Sequence, residues 1–483
     1  MKVFPRVWIA LIGLSIVVTV IGCQVAPTDT SNAPTSATPP PQVAQQPTPA
    51  QTATPTTANA GNMPVTLPVL DAFFADESFA ADVKTRLQLT DEQVTKLRAV
   101  AHEETAALRE SDQADEQRGT TTAATTRATE KIKSVINAEK TDQLLALVRE
   151  RWTSGGAPGG ETATNAPAAS SSDQPNTVPT DTRIVVNAPA YRMDVYKAGQ
   201  LLKTYKIGIG YPEFPLPTGL RSARTIIFNP TWTPPDEPWV EAGKSKVQVG
   251  QKVEAGSPLN PLGPIKIPIG QPSLIHGGKS PAKLGGFASH GCVGLTSPQV
   301  QDFARVLADL AGTQLTAEDV AAYAKQKTET KSVQLGQSVP VELRYETIVV
   351  EDGKLHIYRD VYDHGTNTEE TLRRVLDVYG VALDQLSAQE RAQVMAALAQ
   401  MAHDATGKPA AGDGTTNDNT NAHKDAKNDN AASAHVTRTI KGQKEIVIEL
   451  AALKGKGYPA PVNYDTGTGA PPKAKPAQAA KRG

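Results

Sequence analysis

HGGKSPAKLGGFASHGCVGL, running from His276 to Leu295, is the stretch on which the reading of this chain turns. It holds two of the eight histidines, His276 and His290, and one of the two cysteines, Cys292. A thiol of ordinary pKa, about 8.5, is mostly protonated at neutral pH. A nearby imidazole can take its proton and raise the reactive fraction. Two histidines beside a cysteine therefore suit nucleophilic chemistry. Gly291 lets the backbone turn tightly next to Cys292 and could aim amide N–H groups at an oxyanion. Gly277-Gly278 and Gly285-Gly286 bracket a loop able to move over a substrate. Other readings of the same residues stay open. Cys292 could be an inert buried thiol, as many free cysteines are. The trio could ligate zinc, although His290 and Cys292 are separated by one residue and no fourth ligand is evident. The glycines could mark only a turn.

Upstream, the pattern is that of strands. Tyr191 to Tyr196 alternates, and Ala198-Gly199 punctuates before the apolar run Leu201 to Ile207. Downstream, Ser297 is placed to cap a helix with Pro298 at its first position, and Val300, Phe303, Leu307 and Leu310 share one face. Glu346 to Val350 and Lys354 to Tyr358 flank Asp352-Gly353, which predicts a type I′ hairpin. Leu372 to Leu383 and Val394 to Met401 read as helices, the second preceded by a Ser387/Glu390 capping box. Gly407 to Ala434 has the composition of a disordered segment, and Lys444 to Leu450 could form one strand.

Ser289-His290-Gly291-Cys292, preceded by His276-Gly277, resembles the motif of the L,D-transpeptidase catalytic domain, the YkuD family. Pro217-Thr218-Gly219 and Asn229-Pro230-Thr231-Trp232-Thr233-Pro234-Pro235 are similar to segments of the same family, and Ile184 to Gly210 resembles its opening hairpin. The resemblance covers about 182–325, with an outer limit at 363. It implies a mostly-β catalytic domain with short helices and neither metal nor cofactor. It further implies that Cys292 attacks a peptidoglycan stem tetrapeptide to form a thioester, which an amine then resolves. By position, Cys292 would be the nucleophile and His276 the proton donor and acceptor. His290 and Gly291 would shape the site, amides near Cys292 would form the oxyanion hole, and Ser289 would brace the loop. Carbapenems acylate members of this family. One departure stands out: many members carry Arg, and others Asn, two residues after the cysteine, where this chain has Gly294.

The N-terminus reads as an export signal. Lys2 and Arg6 precede an apolar run from Val7 to Gly22, short for a spanning helix. Val20-Ile21-Gly22-Cys23 resembles the bacterial lipobox, which implies lipidation of Cys23; an uncleaved anchor is the alternative. Gln24 to about Asn62 is a Pro/Thr/Ala/Gln tether. Between Leu67 and Trp152 the pattern is helical. Thr90 and Gln93 form a capping box before Val94, Leu97, Ala101 and Leu108, and a second helix carries Ile132, Val135, Ile136, Leu144, Leu147 and Val148. Leu89 to Gln93 also resembles, weakly, the LTxxQ motif of small periplasmic helical proteins related to the Spy chaperone. A Gly- and Ser-rich linker follows to Asp181.

The expected organisation is a multidomain α+β chain: signal peptide 1–23, tether 24–62, helical unit 63–152, linker 153–181, catalytic domain 182–363, helical extension 364–403 and a largely disordered tail 404–483. The linker suggests that the helical unit is independent of the chemistry. Formal net charge is -1 over 483 residues, which gives no reason to expect a nucleic-acid partner. The expected partners are peptidoglycan stem peptides and, through the lipid, a membrane. The expected setting is extracytoplasmic, in the periplasm or cell envelope. Hydrolysis by the same thioester route, as an L,D-carboxypeptidase or endopeptidase, is the enzyme alternative. A non-catalytic wall-binding or chaperone-like lipoprotein is the other.

Overall fold

A computed structural model describes residues 63–107, 120–153, 174–232, 252–407 and 439–468. Every described residue lies in one compact unit, within Thr57–Gly483. The apolar N-terminal run, Cys23, most of the tether and nearly all of Gly407 to Ala434 lie outside the described residues. No helix among the described residues is long and apolar enough to cross a membrane.

The N-terminal helices are α1 (Leu67–Phe74), α2 (Glu77–Arg86), α3 (Asp91–Ala107), α4 (Thr121–Val135) and α5 (Ala138–Thr153). They enclose their own core, with Leu70, Phe73, Phe79, Leu97, Ile132, Leu144 and Trp152 all but excluded from water. The expected capping box starts α3: Gln93 N–H donates to Thr90 Oγ1 at 3.2 Å, and Thr90 N–H to Gln93 Oε1 at 3.0 Å. The single second helix read from the sequence is two. Ile136 leaves the helical region (φ -129°, ψ 160°), and the Asn137 side chain accepts from Lys140 N–H at 2.8 Å, starting α5. An Asn that can cap ends one helix and begins the next without breaking the apolar spacing, so periodicity alone does not reveal the break.

The central domain is a curled eight-stranded sheet in the order β3-β2-β1-β10-β5-β6-β7-β9. Its strands are β1 (Arg183–Asn187), β2 (Arg192–Lys197), β3 (Gln200–Lys206), β5 (Gly219–Phe228), β6 (Ile265–Pro268), β7 (Leu274–His276), β9 (Val293–Gly294) and β10 (Lys331–Arg344). β4 (Ile209–Gly210) and β8 (Phe287–Ser289) pair in parallel beside it. The turn between β2 and β3 has Ala198 and Gly199 both at positive φ, 49° and 80°, as a type I′ turn needs. Helix α6 (Ser297–Leu310) buries Val300, Phe303, Leu307 and Leu310 against the sheet. Burying each such side chain contributes about 1.5–3 kcal/mol. Its cap is Thr296 and not Ser297: Thr296 and Gln299 make the reciprocal box, which puts Pro298 in the second helical position. Helix α7 (Ala317–Lys325) follows.

The C-terminal part is more ordered than its composition suggests. β11 (Ile348–Glu351), β12 (Lys354–Tyr358) and β13 (Glu445–Glu449) form a separate antiparallel sheet. The predicted Asp352-Gly353 turn is there, with φ of 47° and 76°. Inward residues Ile348, Val350, Leu355 and Ile357 pack on α8 (Glu369–Val378) and α9 (Ala388–Met401) through Leu372, Val375, Leu376, Val394 and Leu398. This hairpin therefore shares its core with the extension, although the sequence reading assigned it to the catalytic domain. Farther on, residues 462–465 lie along β3: Thr204 N–H donates to Val462 O at 2.8 Å, and Lys206 N–H to Asp465 O at 2.9 Å. A segment read as tail thus covers an otherwise open sheet edge. Buried Arg192 joins the layers, bonding Asp194 on its own strand and Glu351 on β11.

Candidate active site

His276 ends β7 and Cys292 directly precedes β9, two strands that pair in parallel with His276 opposite Gly294. Sheet register therefore brings together residues that are distant in sequence. The turn carrying Cys292 is built from Ser289-His290-Gly291. Gly291 has φ 86°, in the left-handed region that favours glycine. Ser289 Oγ–H donates to Cys292 O at 2.5 Å and accepts from Cys292 N–H at 3.0 Å. The His290 ring meets the edges of Tyr211 and Phe214, with centroids 5.2 and 4.7 Å away. Gly210 lies behind this turn, where an added Cβ would fall 2.0 Å from Phe214 O and 3.1 Å from Gly291 N. The Tyr362 hydroxyl donates to Gly210 O at 2.9 Å and supports the same turn from the C-terminal side.

Cys292 is a free, half-buried thiol. Burial pushes its pKa up, while a hydrogen bond with the Leu274 backbone and the charge of Lys279 pull it down. His276 is 3% exposed, and its Nδ1 lies 2.8 Å from Gly277 O. Burial and the Lys279 ammonium lower its pKa from 6.5 to about 3, against the opposing effect of backbone hydrogen bonds to Gly277 and Leu262. Burial therefore favours the neutral form of the ring. Among the described residues, no group of three or more His, Cys, Asp or Glu side chains is placed to hold a metal.

Cys292, His276, His290 and Ser289 line one cleft of about 1040 Å³. Thr231 and Trp232, from the segment singled out by sequence, stand on its rim; Thr233 to Pro235 lie outside the described residues. The N-terminal helical unit supplies another wall, through α1, Glu77 of α2, α3 and Trp152 in α5. The unit is seated by Thr66 Oγ1 donating to Glu213 O at 2.6 Å and Thr121 Oγ1 to Pro212 O at 2.8 Å. The helical unit, expected from sequence to be independent of the chemistry, thus lines the same cleft as Cys292. The helices show no chemical motif, and only their packing places them at the cleft. On that wall Arg98 pairs with Glu77 in bidentate fashion at 3.0 and 2.8 Å, and His102 lies 3.7 Å from Asp71. Sequence reasoning missed these four residues, together with Lys279, Lys266 and Tyr362. None falls in a recognisable spacing.

The loop bracketed by the two glycine pairs contains a short 3₁₀ turn, Pro281–Lys283. Gly285 N–H donates to Ile207 O at 2.8 Å, and Lys444 Nζ bonds Gly285 O, so its far end is tied to both the sheet and the C-terminal part.

Residues 181–336 match the model of the family described as YkuD, L,D-transpeptidase catalytic domain. Among solved structures, the chain is similar to the catalytic domain of an E. faecium L,D-transpeptidase, at 18% identity over 35% of this chain and 100% of that one, TM-score 0.22. It is also similar to an L,D-transpeptidase from Mycobacterium tuberculosis H37Rv, at 15% identity over 34% of this chain and 57% of that one, TM-score 0.19. A third is an L,D-transpeptidase from Mycobacterium smegmatis, at 16% identity over 34% and 58%, TM-score 0.20. The match thus spans the whole of the first chain and less than two thirds of the other two. No curated protein matches the chain.

Proposed function

Residues 181–336 being a YkuD L,D-transpeptidase catalytic domain, we propose that the protein is a peptidoglycan L,D-transpeptidase whose nucleophile is Cys292. The observation that carries this reading is that Cys292 and the buried His276 line one cleft large enough for a peptide. His276 takes the thiol proton as sulfur attacks the stem-peptide carbonyl carbon. The carbon–nitrogen bond to the terminal D-residue breaks, its amine leaves with the proton, and a thioester remains on Cys292. An acceptor amine then attacks the thioester, a new amide forms, and the thiol is released with its proton. Because Cys292 N–H is already donated to Ser289, an oxyanion hole in this turn draws on the amide of Gly291. The edge contacts of His290 with Tyr211 and Phe214 suit a ring that shapes the turn.

We also place the protein outside the cytoplasm, held to a membrane by lipid on Cys23. This rests on the apolar run ending in Gly22-Cys23. Loss of radiolabelled palmitate incorporation in Cys23→Ala is the expected result, and equal labelling of both proteins would refute it.

The full chain incubated with tetrapeptide muropeptides and read by mass spectrometry tests the activity. Cross-linked dimers are expected. Tripeptides alone would mean that water resolves the thioester, and an unchanged substrate would leave a non-catalytic wall-binding role.

A further inference from the structure

Lys279 lies three residues after His276, and its half-buried side chain lines the cleft with His276 and Cys292. Its backbone N–H donates to Leu295 O at 3.0 Å, tying the start of the loop to the end of β9. The course of its side chain is explained by Gly294. A Cβ added there would fall 2.9 Å from Lys279 Cγ, 3.2 Å from Cε and 3.5 Å from Cδ. Gly294 is not among the residues at positive φ, so backbone conformation does not demand a glycine. Space does: the aliphatic stem of Lys279 occupies the volume that a side chain at 294 would fill.

We propose that Lys279 is a positioning cation of this site, reaching through the space left by Gly294 to stabilise the Cys292 thiolate. The proposal rests on the reading of Cys292 as nucleophile. Burial is the largest influence on both groups, lowering the Lys279 pKa and raising that of Cys292, and the attraction between the two opposes it on each side. Other charges around the cleft are less suited to the task. Burial lowers the pKa of His276 and of Lys266, and only for Lys279 does Cys292 oppose that effect. Lys283 is exposed and acts on Lys279. On the helical wall, Glu77 pairs with Arg98, and Asp71 lies beside His102.

The test is the rate at which Cys292 of the full-length protein is alkylated by iodoacetamide, followed by intact mass between pH 6 and 10. Sulfur displaces iodide, so the rate follows the thiolate fraction and needs no peptidoglycan substrate. Lys279→Met keeps the stem and removes the charge. Its inflection should move to higher pH by about one unit, with a roughly tenfold lower rate at neutral pH. Lys279→Arg should restore most of the wild-type profile. Gly294→Arg alone should distort the site, whereas Lys279→Ala combined with Gly294→Arg should be accommodated and recover the wild-type inflection. A Lys279→Met protein of native circular dichroism and unchanged inflection would overturn the proposal. So would a Lys279→Arg protein that behaves like Lys279→Met. A shifted inflection in a protein that turns over no muropeptide would uphold the role of Lys279 while removing the transpeptidase reading.

Discussion

Ser289 and Cys292 close a small ring: one hydroxyl donates to the cysteine carbonyl at 2.5 Å and accepts from its amide at 3.0 Å. Both backbone groups of Cys292 are thereby held by one side chain. Ser289→Ala removes both hydrogen bonds, each contributing about 0.5–1.5 kcal/mol net. The expected outcome is a folded protein with a lower melting temperature. Its carbapenem acylation should be slower by about one to two orders of magnitude, in line with loss of positioning. Stopped-flow acylation and differential scanning calorimetry measure the two effects. Wild-type kinetics in Ser289→Ala would mean that the ring has no part in presenting the thiol.

Carbapenem adducts also test the pair at the centre. Cys292→Ser should form no adduct, because a hydroxyl is far harder to deprotonate than a thiol. His276→Ala should lose about 10²–10⁴-fold in acylation rate. Intact-protein mass spectrometry follows both, and an adduct persisting in Cys292→Ser would place the nucleophile elsewhere.

The buried imidazole carries a pH signature. Its folded pKa, about 3, lies below the ordinary 6.5. Between those values the unfolded chain binds a proton at this position and the folded one does not. Stability therefore falls as pH drops from 6.5 toward 3. His364, lowered in the same direction by burial, adds to the trend. His276→Asn should flatten part of the decline in urea midpoints measured across that range. A mutant with the same slope as wild type would show that His276 is not the group concerned.

The helical wall predicts a separation of binding from chemistry. Arg98→Ala breaks the bidentate pair with Glu77 on the helical wall of the cleft. The expected change is a several-fold higher KM for muropeptides, with the iodoacetamide reactivity of Cys292 intact. Steady-state kinetics beside the alkylation rate would detect it. Unchanged KM would remove this pair from substrate contact.

Arg221 on β5 is 4% exposed, and its three guanidinium nitrogens have no hydrogen-bond partner among the described residues. Burial alone pulls its pKa down to about 9. A buried cation left in this way is costly, and apolar replacements of similar volume are often stabilising by about 1–4 kcal/mol. Arg221→Met should raise the melting temperature, and a lower one would point to an interaction that the fold conceals.

Much of this arrangement could be read along the chain where the cause is local. The Thr90/Gln93 and Ser387/Glu390 boxes, the Ala198-Gly199 and Asp352-Gly353 turns and the buried face of α6 depend on neighbours within a few residues. The misreadings have local causes too. Thr296 competes with Ser297 for the same cap, and Asn137 divides one apolar rhythm into two helices. The turn around Cys292 was legible for the same reason, since Ser289, Gly291 and Cys292 determine one another over four positions.

The sequence by itself determined the chemistry available to this protein: a thiol, two imidazoles and the glycines that let a turn present them. Only the tertiary structure decided what surrounds that chemistry. Pairing of β7 with β9 sets His276 level with Gly294. Packing of α1 and α3 makes a second wall, and the empty place at Gly294 admits Lys279. Residues 462–465 close the edge of β3 from the far end of the chain. These contacts join segments tens to hundreds of residues apart. Their free energy comes from burial and complementary shape, which leave no periodic mark on either partner.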